Sequence, residues 1–74
     1  MTAITLTRVD DQKNLARFYK LQVQPDLFGG WSLVRKWGRI GRAGTVRAES
    51  HQSRGKADLA LISKWAAKRR RGYR

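Results

Sequence analysis

Apolar and polar positions alternate along the first two-thirds of the chain and give way to a helical repeat in the last third. Ile4-Thr5-Leu6-Thr7-Arg8-Val9 alternates and is rich in β-branched residues, which predicts a half-buried strand. Asp10 to Asn14 is a polar break. Arg17 to Gln24 then sends Tyr19, Leu21 and Val23 to one face and Phe18, Lys20, Gln22 and Gln24 to the other, a second strand ended by Pro25. Pro25 to Gly30 is rich in turn residues, and Trp31 to Trp37 resumes the alternation with Trp31, Leu33, Arg35 and Trp37 on one side, so an antiparallel hairpin follows. Gly38, Gly41 and Gly44 recur every three residues with Arg39 and Arg42 between them, predicting a tight basic loop before a short fourth strand, Thr45 to Glu49.

Beyond Gln52 the period becomes about 3.6. Ser53 is the expected N-cap, and Ala57, Leu61 and Trp65 fall four apart with Ala60, Ile62 and Ala66 beside them, so Leu61 and Trp65 are expected in the core together with Trp31. Asp58 near the start of this helix and Lys64, Lys68, Arg69, Arg70 and Arg71 toward its end suit the helix dipole, and Gly72 stands where a C-terminal stop is expected. The predicted fold is α+β: a small antiparallel sheet of about four strands covered by one C-terminal amphipathic helix, a single domain over residues 1–74.

Composition narrows what such a domain does. With 74 residues there is room for one small core, and the 41% hydrophobic content suffices to fold it. The absence of Cys excludes disulfides and thiolate metal sites. No basic leader opens the chain and no apolar run approaches the roughly 20 residues of a membrane span, so a soluble, cytoplasmic protein is expected, nucleoid-associated if bound to DNA. Seventeen Lys+Arg against five Asp+Glu leave a formal charge of +12, more than solubility requires, and point to a polyanionic partner.

Trp37-Gly38-Arg39 is the most suggestive local feature. A ring and a guanidinium two residues apart on a strand leave from the same face, the ring able to cover a sugar or base while the guanidinium donates to phosphate or a base edge. Trp37 stands at a strand end, where complete burial is hard, and is expected to be partly exposed. The glycines do not form G-x-G-x-x-G, so they read as turn residues. His51 is the sole histidine and lacks metal-ligating company; Asp10 and Asp11 are adjacent and cannot act as a carboxylate pair. No nucleophile–base constellation can be assembled, so neither an enzyme nor a metal or cofactor site is expected.

Phe18-Tyr19-Lys20-Leu21-Gln22, then Trp31, then Trp37-Gly38-Arg39-Ile40-Gly41, then a helix closing in a basic stretch and Tyr73, together resemble the WGR domain over about residues 16–73, above all the stand-alone bacterial WGR proteins. The same domain occurs in DNA-dependent poly(ADP-ribose) polymerases, where it helps recognise DNA breaks. The resemblance implies a DNA-binding module without the catalytic domain. It places Trp37 on a sugar at a DNA end, Arg39 in DNA or interdomain contacts, and Tyr73 and Lys68 to Arg71 near strand-end phosphates. The polymerase pattern often carries an Asn just before its second strand; here Ala16 and Arg17 occupy that stretch and Asn14 lies slightly upstream.

The expected nucleic-acid-binding set is therefore Trp37, Gly38, Arg39, Arg42, Lys68, Arg69, Arg70, Arg71 and Tyr73, acting in a monomer on double-stranded DNA through phosphates and one aromatic contact. RNA or ribosome association is the alternative a basic domain with exposed aromatics leaves open, and a protein-interaction adaptor using the same loop is another. An anionic membrane ranks last, because Leu61 and Trp65 are assigned to the core and no lipidation signal accompanies them.

Overall fold

A computed structural model describes residues 2–74. Four strands, β1 (Thr2–Asp10), β2 (Leu15–Pro25), β3 (Trp31–Arg39) and β4 (Thr45–His51), precede one helix, α1 (Arg54–Arg70). The strands form an antiparallel meander in the order β1-β2-β3-β4. The fold is α+β, as the change of period predicts.

Short connections fix the register. Asp10 accepts from the backbone N–H groups of Gln12 and Lys13, and Asn14 takes a left-handed φ of 51° to close the β1–β2 turn. Across the β2–β3 turn, Asp26 accepts from the N–H groups of Phe28 and Gly30 at 2.8 and 2.9 Å. Leu27 and Phe28 at its tip are almost fully exposed, at 96% and 94%, and nothing in the fold covers them.

One face of the sheet carries the core. Leu6, Tyr19, Leu21, Val23 and Leu33 are buried beneath Ala57 and Leu61 of α1, with Ile4, Trp31, Trp37 and Ala60 packed around them. Ser53 caps α1, its hydroxyl accepting from the Lys56 N–H at 3.2 Å. The helix closes in a Schellman motif: the Gly72 N–H donates to the Arg69 carbonyl and the Tyr73 N–H to the Lys68 carbonyl, with Gly72 at φ 96°. This stop turns the chain under the helix end and drives Tyr73 into the core. Arg74 then pairs with Thr7 through two backbone bonds of 2.7 and 2.9 Å, which fasten the end of the chain to β1.

Trp65 is not in the core, contrary to expectation; it is 36% exposed, as are Ile62 and Leu59 more fully. Each four-residue step advances about 40° round a helix, so two steps carry Trp65 about 80° from Ala57. The stripe facing the sheet instead runs through Ala57, Ala60, Leu61, Lys64 and Lys68, all buried or half-buried. Asp58 likewise faces Arg54, at 3.8 Å, and no acidic residue stands in the first turn.

Candidate nucleic-acid interface

The Trp-Gly-Arg segment lies at the end of the sheet that also holds the β1–β2 turn and the C-terminus of α1. Its glycine is a packing requirement. A Cβ on Gly38 would meet the Gly44 Cα at 2.8 Å, and one on Gly44, whose φ is 78°, would strike the Trp37 carbonyl and the Phe18 ring. The two strands therefore close on each other through paired glycines beneath Phe18, where turn geometry alone was expected for Gly38. Gly41, at φ 91°, supplies the turn itself.

Trp37 is half-buried. Its ring stacks on Tyr19 with centroids 6.2 Å apart, and the Arg35 guanidinium lies 5.6 Å from its centroid. Two clefts flank it. One, of about 490 Å³, is lined by Arg17, Trp37, Gly38, Arg39, Lys68 and Tyr73; the other by Tyr19, Arg35, Trp37 and Lys68.

Sheet register gathers cations that are scattered in sequence. Arg8 lies opposite Arg17 and Arg17 opposite Arg39, so three arginines form one row across β1, β2 and β3. Arg35 lies opposite Arg47. On the other face Lys20 lies opposite Lys36. Like charges directly opposite one another destabilise a sheet, and none of these side chains has a carboxylate within ion-pair distance among the described residues. The Arg35 Nε is buried with no hydrogen-bond partner there.

Lys68 completes the arrangement from the helix. Its ammonium lies 4.5 Å from the Tyr19 ring centroid and 5.3 Å from that of Tyr73. Burial above all, then the nearby Arg71, Arg35 and Arg17, holds its pKa below the usual lysine range.

Of the residues expected at the interface, Trp37, Gly38, Arg39 and Lys68 line one cleft. Arg69, Arg70 and Arg71 are exposed on the last turn of α1 and beyond it, and Arg42 is exposed in the β3–β4 loop. Tyr73 lines the same cleft from below: it is only 7% exposed, set edge-on to Tyr19 at 6.3 Å, and forms the floor of the cleft. The Schellman stop is the reason. Arg8, Arg17 and Arg35 were missed, although the parity of Arg17 with Tyr19 and of Arg35 with Trp37 already placed both on the helix-side face.

Asn14 also changes its place. Strand β2 begins at Leu15, since Leu15 and Ala16 pair with Asp10 and Val9, so Asn14 stands immediately before the second strand. Its main-chain carbonyl and side-chain Oδ1 accept from the Arg39 guanidinium at 3.4 and 3.5 Å, which ties the β1–β2 turn to the end of β3.

The model of the WGR domain matches residues 2–74, and the chain belongs to that family. It is similar to an uncharacterized protein, y4dW, of Sinorhizobium fredii, with 39% identity over 67 residues, 90% of this chain and 33% of that protein. The chain thus spans about a third of the length of that curated relative. No solved structure matches. Among the described residues no helix is long and apolar enough to cross a membrane.

Proposed function

We propose that this domain is a non-catalytic, double-stranded-DNA-binding module that grips phosphates with the arginines around Trp37 and lays the Trp37 ring on a sugar or base. The observation that supports it most is the Arg8-Arg17-Arg39 row and the Arg35-Arg47 pair, which set like charges opposite one another with no carboxylate between them. A sheet organised for stability alone avoids such rows; a polyanion relieves them. Membership of the WGR family favours the same partner. Asn14 just before β2, bonded to Arg39 beside Trp37, favours the end of a duplex over its interior.

Competition binding tests the proposal. An open-ended duplex, a closed dumbbell of the same sequence and single-stranded RNA of matched charge are titrated at one salt concentration. The open duplex binds tightest if the reading is right. Equal affinity for open and closed forms removes the end, and preference for the RNA removes the duplex.

A further inference from the structure

We propose that Lys68 is a nucleophilic amine that captures the aldehyde of an abasic deoxyribose in bound DNA as a reversible imine. The inference rests on the duplex-DNA reading above and extends it to a class of damaged substrate.

Lys68 lines both clefts that flank Trp37, so its amine stands where the ring and the guanidiniums converge. The groups that face it are Arg17 and Tyr19 from β2, Arg35 from β3, Arg71 from the end of its own helix, and Tyr73 from the closing segment. No carboxylate or other acceptor lies within hydrogen-bond reach of its Nζ among the described residues. With no anion to stabilise the ammonium, and with burial and three guanidiniums against it, the neutral amine with its lone pair is more accessible here than on an ordinary lysine. The lowered pKa agrees, because the neutral amine is the nucleophilic form.

An abasic sugar suits the site on three counts. It has no base, so the ring of Trp37 and the floor formed by Tyr73 can reach the deoxyribose directly. Phosphates flank it on both sides, matching guanidiniums on both sides of Lys68. Its ring-opened form exposes a C1′ aldehyde, and anchoring the phosphates holds that carbon beside the amine at high effective concentration. The Lys68 lone pair adds to C1′ as the carbonyl electrons move to oxygen, which takes up a proton. The nitrogen of the resulting carbinolamine loses protons as the hydroxyl leaves as water, and a C=N bond forms. One water is released, and its re-addition restores amine and aldehyde.

Two borohydride-trapping experiments test this. In the first, limiting pyridoxal 5′-phosphate, an aldehyde bearing its own phosphate, is reduced onto the full chain and the labelled peptides are mapped, the α-amino group being read separately. Lys68 is labelled ahead of Lys13, Lys20, Lys36, Lys56 and Lys64; even labelling of all six lysines would overturn the nucleophile without reference to DNA. In the second, duplex containing one abasic site is trapped on the parent and on Lys68→Arg, which keeps the charge, while binding of the undamaged duplex is measured alongside. The expected result is a cross-link mapped to Lys68 whose yield per bound duplex falls at least several-fold in Lys68→Arg, beyond any fall in undamaged-duplex binding. Retained duplex binding with no cross-link at Lys68 would overturn the assignment of the substrate alone. Loss of duplex binding in the parent would instead overturn the proposed function, and the abasic substrate with it, while the pyridoxal phosphate result still decides the amine.

Discussion

Arg17 and Arg35 set opposing demands on the sheet. Each faces a second guanidinium across a strand pair, so replacing either by Gln relieves repulsion as it removes a phosphate contact. Arg17→Gln and Arg35→Gln should melt at or above the parent temperature, yet bind duplex DNA more weakly, each reducing the salt slope by about one. Melting below the parent would give these arginines a structural role. Trp37 belongs to both accounts, because it stacks on Tyr19 as well as facing the clefts. Lys68 gives a pH signature. Its pKa in the folded chain is depressed, so its charge opposes folding at neutral pH, and that opposition is lifted as pH rises through the depressed value toward the ordinary 10.5. A phosphate bound nearby raises the pKa again. Affinity should therefore fall as pH climbs through the free chain's Lys68 pKa, and Lys68→Arg should flatten that fall; an unchanged profile in Lys68→Arg would place the titrating group elsewhere.

At the scale of elements, alternation was enough to locate β1, β2 and β3, whose helix-side face is packed, whereas β4, exposed throughout Thr45 to Ala48, was placed by the glycine-rich loop before it. The helix was legible in extent but not in rotation. Ala57-Leu61-Trp65 forms an attractive row of apolar residues, yet the row drifts round the helix, so Ala57 and Leu61 face the sheet while Trp65 is carried off it and the stems of Lys64 and Lys68 continue the stripe instead. Leu61→Ala should cost about 2 to 5 kcal/mol of stability, whereas Trp65→Ala should cost less than about 1 kcal/mol. Equal losses would mean that the helix sits rotated from this position. The paired glycines were equally hidden, since a close approach between Gly38 and Gly44 depends on where two strands cross. Gly44→Ala should destabilise by roughly 1 to 3 kcal/mol through its left-handed backbone and the clash with Trp37, which thermal melting would reveal. The arginine rows could not be read at all without register, which turn length sets and composition does not. The burial of Tyr73 could not be read from the sequence, because only the Schellman geometry shows which way the chain leaves the helix.

Over the whole molecule, 45 Å in its longest dimension, basic charge is concentrated toward one end. Arg8, Arg17, Arg39, Arg42 and Lys68 to Arg71 gather around Trp37 and outnumber Asp10 and Asp11 of the nearby β1–β2 turn, while Asp26, Glu49 and Asp58 lie with Arg54 and Lys56 toward the end marked by the β2–β3 turn and the start of α1, where Glu49 meets His51 at 3.3 Å and Asp58 faces Arg54. Such a concentration orients an approaching polyanion toward one end before any contact forms. The central claim, that this end binds duplex DNA through its phosphates, is tested most directly by measuring the duplex binding constant across a range of salt concentrations. If roughly four to six phosphates are engaged, log K should fall against log salt with a slope of about −3.5 to −5.5. A slope near zero, or no measurable binding at low salt, would contradict it.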